Sequence, residues 1–146
     1  MRAAAAFLLA VGCAPAGSGE ETATGYVDGV AFEIVVVTVD QQPLELETAE
    51  AWNAMSAQAD ADDVVLRVVS GFRTMAEQER LYRCYVECNC NNCELAAPPG
   101  FSNHQSGGAV DVNTSEAGVY DWLDAHADDH GFARTEPSEE WHWERE

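Results

Sequence analysis

The stretch Ser102-Asn103-His104-Gln105-Ser106-Gly107-Gly108-Ala109-Val110-Asp111 offers an imidazole and then a carboxylate, with glycines that let the backbone turn close to a bound ion. Near the carboxyl end, Glu139-Glu140-Trp141-His142 supplies the same two side-chain types again. Two histidines and one carboxylate, here His104, Asp111 and His142, are a common catalytic zinc set, in which three protein ligands leave a fourth position for water. Zinc lowers the pKa of that water to about 7, which makes hydroxide available at neutral pH. Glu139, three residues before a ligand, reads as the general base that takes the proton and returns it to a leaving amine. A competing reading makes His104 an ordinary loop histidine and Asp111 a turn cap, and spacing alone leaves both open.

A cation completes the set. Arg73 follows Ser70-Gly71-Phe72 on a tight strand-to-helix turn, where a helix amino terminus also favours anions, so it is read as a carboxylate-binding residue rather than as a surface salt bridge. Gln78 and Ser102 are candidates for hydrogen bonds to substrate or to groups behind the ligands. His126 and His130, four apart on a late helix, read as solvent-facing side chains rather than a metal pair. Trp52, Trp122, Trp141 and Trp143 read as core or cleft wall.

The elements that must position these groups alternate between strand and helix. Val30 to Val39, dense in β-branched residues, predicts a strand, and Val64 to Val69 a second. Thr48 is expected to cap a helix whose Trp52, Met55 and Ala59 share one face, stopping at Asp60 to Asp63. Thr74 and Glu77 form an S/T-x-x-E capping box opening a helix that carries Gln78, Leu81 and Tyr82. Gly108 to Val112 predicts a strand, Val119 to His130 a helix ended by Gly131, and Phe132 to Arg134 and Trp141 to Trp143 short closing strands. In an extended closing strand His142 points one way while Trp141 and Trp143 point into the core. The order and the short links predict an α+β fold with a small, largely antiparallel sheet flanked by helices.

Composition bounds the partners. The 146-residue chain carries 26 acidic against 7 basic side chains, a formal net charge of -19. Every basic residue is arginine, so no polybasic run exists to grip nucleic acid or an anionic membrane. At 47% hydrophobic residues the chain can still build a core, and one domain is expected. Residues 1–12 read as an export signal, with Arg2 ahead of an apolar run too short to span a bilayer. Ala10, Val11, Gly12 and Cys13 resemble a bacterial lipobox without its usual leucine; Cys13 is then the lipidation site and the sole membrane link, the alternative being ordinary secretion. Residues 13–25 read as a flexible tether and 26–146 as the folded, monomeric domain. Cys84, Cys88, Cys90 and Cys93 in an exported chain predict two disulfides of undetermined pairing, stapling a loop from Tyr85 to Leu95; a zinc-thiolate cluster is the alternative.

Ser102, His104, Gly107, Ala109 and Asp111 match S-x-H-x-x-G-x-A-x-D, and Glu139 with His142 match E-x-x-H. Together with Ser70-Gly71-Phe72-Arg73-Thr74, Gln78, Leu81-Tyr82 and Pro99-Gly100-Phe101-Ser102, these segments resemble the zinc D-alanyl-D-alanine carboxypeptidases of VanY type over roughly Gly29 to Glu144. The resemblance implies the fold shared with hedgehog signalling domains. It also implies one Zn2+ held by His104, Asp111 and His142, Glu139 as base, and Arg73 binding a substrate carboxylate or the developing oxyanion. The implied substrate is the terminal D-Ala-D-Ala bond of peptidoglycan stem peptides, in an exported peptidase. L,D-carboxypeptidase or endopeptidase action, or a zinc-bound non-catalytic module, are the alternatives. Glu140 stands where many relatives have proline, and the Cys84 to Cys93 insert is not general among them.

Overall fold

The computed structural model describes residues 19–146. The expected signal segment and the Cys13 lipidation site lie outside the described residues. The first sheet has the order β1-β2-β3, with β1 (Glu21–Val27), β2 (Val30–Val39) and β3 (Gln42–Glu45) all antiparallel. β1 corrects the tether expectation, because folded backbone begins inside the stretch 13–25. Its cause is the turn Asp28-Gly29, both residues at positive φ (51° and 79°), the pairing that closes a two-residue hairpin and sets Val27 opposite Val30. Asp40-Gln41 closes β2 onto β3 in the same way (φ 49° and 67°).

Helix α1 (Leu46–Ala61) is capped by Glu45, whose carboxylate accepts from the N–H groups of Glu47 and Thr48 at 3.0 and 2.8 Å. Thr48, the expected cap, is instead buried in the first turn and donates its hydroxyl to the Gly107 carbonyl at 2.9 Å. The strand expected over Val64 to Val69 shrinks to β4 (Val68–Ser70). The Arg67 N–H and the Val65 carbonyl are occupied by the Asn113 side chain rather than by a ladder. Helix α2 (Met75–Glu87) opens on the expected Thr74–Glu77 capping box. It runs further than the expected loop at Tyr85, and the cystines pair as Cys84–Cys90 and Cys88–Cys93.

The second sheet, order β4-β5-β7-β6, is antiparallel throughout and combines β4 with β5 (Ala109–Val112), β6 (Phe132–Ala133) and β7 (His142–Arg145). Helix α3 (Asn103–Ser106) precedes β5; α4 (Val119–His126) ends in a 3-10 turn to His130, which Gly131 terminates in a left-handed conformation. The fold is therefore α+β, as expected. Its core lies between α1, α4 and the second sheet, where Trp52 meets the Phe132 ring edge-on at 6.5 Å among Leu44, Met55, Val110, Leu123 and Trp143. Trp52→Ala is expected to cost about 3–5 kcal/mol of stability, read from urea unfolding, because the side chain is 1% exposed.

Candidate metal centre and cleft

Pairing of β5 with β7 builds the site. Asp111 lies directly opposite His142 on one side and Ser70 of β4 on the other, so the three side chains share a sheet face. His104 arrives from α3, a helix the sequence reading missed, started by the Ser102 hydroxyl accepting from the His104 N–H at 3.3 Å. Gly107 ends that helix at φ 88°, and a Cβ there would lie 2.6 Å from the Glu45 Cβ, so glycine lets the chain turn into β5. His104, Asp111 and His142 are all buried, with one ligand atom from each within 4.8 Å of the others.

One contact on each ring holds it so that its other nitrogen faces Asp111. The Gly71 carbonyl can only accept, so the His104 Nδ1–H donates to it at 2.7 Å and leaves Nε2 as a lone pair 3.3 Å from the Asp111 Oδ1. Residue 71 must be glycine because β3 passes against it, where a Cβ would sit 2.3 Å from the Pro43 carbonyl oxygen. His142 lies between two carboxylates, with Nε2 2.8 Å from Glu144 and Nδ1 3.2 Å from the same Oδ1; burial lowers its pKa, but the two acceptors outweigh it and raise it. Two ring nitrogens and a carboxylate oxygen therefore converge, and with the protons on His104 Nδ1 and His142 Nε2 three electron pairs would meet at one point, as a bound cation requires. Neutral imidazoles oriented through their other N–H, beside a carboxylate, are the donor set of a divalent zinc site. The residues fit that ion.

Charge around the triad follows from its burial. Desolvation opposes ionisation of Asp111, but the imidazoles of His104 and His142 beside it and the charge of Arg73 outweigh it and hold the carboxyl well below the usual carboxylate range. Arg73 donates from Nη2 to Asp111 at 2.8 Å and from Nε to the Ser70 hydroxyl at 3.1 Å. Its Nη1 has no protein partner among the described residues, so one edge of the guanidinium buttresses Asp111 while the group still lines the cleft. Burial raises Glu139, the direction a base acting near neutrality requires, and its Oε2 is 4.0 Å from His142 Nδ1. Glu140 is exposed and does not line the cleft.

The other expected residues divide. Gln78 is buried on the cleft, its Nε2–H donating to the Ala97 carbonyl at 2.8 Å, and Ser102 lines the same cleft while capping α3. Trp143 enters the core as expected. Trp141 does not; it precedes β7, is 41% exposed and stands on the cleft wall. His130 bonds Gln58, and His126 lies over the Trp122 ring, both away from the triad. The four insert cysteines are oxidised, so they are not a thiolate cluster.

A family model described as VanY, D-alanyl-D-alanine carboxypeptidase, matches residues 41–144. The chain belongs to the VanY family. Among solved structures, VanYB in complex with D-alanine-D-alanine is 24% identical, with 78% of each chain covered and a TM-score of 0.65. A vancomycin-resistance D,D-pentapeptidase VanY bound to Zn(II) is 23% identical over 82% of each chain, with a TM-score of 0.67. An L,D-carboxypeptidase DacB from Streptococcus pneumonia is 25% identical, covering 87% of this chain and 85% of that one, with a TM-score of 0.56. The two VanY likenesses show the shared fold. No curated protein matches the chain.

This VanY family chain carries one site residue the sequence reading missed. Glu144, two residues beyond His142 on the same strand face, orients the ring and is itself held by Asn103 at 2.8 Å. Burial opposes its ionisation, yet the bonds from Asn103 and His142 keep it below its ordinary value. Glu144→Ala is expected to weaken zinc affinity about 10–100-fold, measured by competition with a chromophoric chelator.

Proposed function

We propose that the protein is a zinc-dependent D,D-carboxypeptidase that cleaves the terminal D-Ala-D-Ala bond of peptidoglycan stem peptides. One observation carries this reading: His104 Nε2, Asp111 Oδ1 and His142 Nδ1 converge with their remaining ring nitrogens tied off, inside a cleft of about 610 Å³ that also holds Glu139 and Arg73. His104, Asp111 and His142 would hold one zinc, which supplies Lewis acidity to the scissile carbonyl and to water. Glu139 accepts the proton of the attacking water at its carboxylate and delivers it to the leaving amine nitrogen. Arg73 presents its free edge to the substrate carboxylate or the developing oxyanion, fixed in place by Asp111 and Ser70. The pair of cystines supports an oxidising, extracytoplasmic location, and no described helix is long and apolar enough to cross a membrane. Attachment through a lipid at Cys13 belongs to the same proposal, and palmitate labelling lost in Cys13→Ser checks it.

A second reading, L,D-carboxypeptidase, rests on the likeness to the pneumococcal L,D-carboxypeptidase. Zinc-loaded protein incubated with a pentapeptide ending in D-Ala-D-Ala, and separately with the tetrapeptide, separates the two. D-alanine released from the pentapeptide and abolished by chelator is the expected result. Release from the tetrapeptide alone establishes the L,D reading, and zinc without release from either makes the protein a binding module.

A further inference from the structure

The chain between α2 and α3 is built against its own backbone preferences. Cys88, Asn91, Asn92 and Cys93 all adopt positive φ, at 49°, 48°, 51° and 58°. In that region an L-residue crowds its Cβ against a carbonyl, and asparagine escapes the conflict only in part. The two cystines hold what the local backbone would relax. Cys84 is buried on α2, so its bridge to Cys90 anchors the segment to the helix body, while Cys88 is exposed.

This constrained segment supplies one wall of the cleft. Asn91, Glu94, Leu95, Ala96 and Ala97 face the same space as the metal triad. Leu95 is 61% exposed, and Phe101 and Trp141 are exposed beside the same cleft, so an apolar collar surrounds a polar floor. Such a collar offers contact area to a ligand that extends past the reacting bond. The wall also reaches down to that floor, since the Ala97 carbonyl holds the buried Gln78 amide, whose Oε1 has no hydrogen-bond partner among the described residues.

We propose that the twice-bridged segment is the specificity wall of the cleft, its cystines holding Leu95 and the Ala97–Gln78 contact against the part of a stem peptide upstream of the scissile bond. The segment contributes nothing to the triad, Glu139 or Arg73, so its effect falls on recognition of the longer peptide and not on the metal. This inference rests on the peptidase reading.

Calorimetry on zinc-loaded Glu139→Gln protein tests it, using a pentapeptide ending in D-Ala-D-Ala and the D-Ala-D-Ala dipeptide alone. Cys88→Ser with Cys93→Ser opens the outer bridge and leaves the anchored one. The pentapeptide Kd is expected to rise about tenfold, the size of effect that losing one apolar pocket contact has. The dipeptide Kd and the zinc content are expected to stay unchanged. Leu95→Ala, at an exposed position, is expected to weaken the pentapeptide about fivefold and decides alone if the double variant fails to fold. Equal weakening of both peptides, loss of zinc, or an unchanged pentapeptide Kd overturns the proposal. Binding of neither peptide by the fully bridged protein would instead remove the peptidase reading, and the wall with it.

Discussion

Asp111→Ala is expected to leave the purified protein without zinc, falling from about one ion per chain to less than about a tenth by elemental analysis. The carboxylate is the shared point of the site. Its Oδ1 lies 3.3 Å from His104 Nε2 and 3.2 Å from His142 Nδ1, and its Oδ2 takes the hydrogen bond from Arg73 at 2.8 Å. Without it, two imidazoles remain beside a guanidinium that has lost its hydrogen-bonded carboxylate and keeps only the more distant charges of Glu139 and Glu77, so it repels the cation the imidazoles would bind. The metal-free fold suffers as well. Arg73 and Asp111 side chains are 21% and 10% exposed, so deleting one partner strands a largely buried charge. The cost is about 3 kcal/mol, the lower end of the range for broken buried pairs because Arg73 keeps some contact with water. Urea unfolding of both proteins in chelator measures that term apart from zinc. Zinc retained at full occupancy in Asp111→Ala would remove the triad from the metal site.

The candidate triad was legible in the sequence because its motifs are local. His104 and Asp111 sit in one short glycine-containing stretch, and Glu139 and His142 in another, so residue type and spacing nominate them, while the resemblance to the VanY type is what singles them out from an ordinary loop histidine and turn cap. What brings the two stretches together is not local. Asp111 stands opposite His142 only because β5 pairs with β7 in that register, and a shift by one residue would send His142 to the core face. Glu144 was missed for a related reason. Its relation to His142 is a strand relation of period two, and the sequence reading ended the closing strand at Trp143, whereas β7 runs His142–Arg145. Trp141 was placed in the core by the same misplaced strand. The Asp28-Gly29 turn, by contrast, was readable as a hairpin closure and would have placed the fold's first strand. The cystine pairing depends on how far α2 extends. Continued to Glu87, the helix brings Cys84 and Cys88, four residues apart, to one side, each facing the returning chain.

Glu139→Gln is expected to lower kcat for D-alanine release by about 10²–10⁴-fold while zinc content and KM stay near the wild-type values. The substitution keeps the shape of the side chain and removes its ability to accept a proton. Glu139 lines the cleft, its Oε2 is 4.0 Å from His142 Nδ1, and burial raises it toward the range in which it can both take and return a proton near neutrality. It approaches the candidate triad only at His142 and is not part of it, which is why the ion should remain. The neighbouring Glu140 is the decisive control. Its side chain is exposed and outside the cleft, and its backbone carbonyl accepts from the core residue Trp143, at Nε1, at 3.1 Å. Glu140→Gln is therefore expected to leave kcat within about twofold of wild type, the usual range for an exposed substitution. Steady-state D-alanine release from the pentapeptide reads both variants. A large loss in Glu140→Gln with Glu139→Gln active would move the base by one residue and with it the geometry of proton transfer; a large loss in Glu139→Gln accompanied by loss of zinc would make that residue a support of the metal site instead of the base.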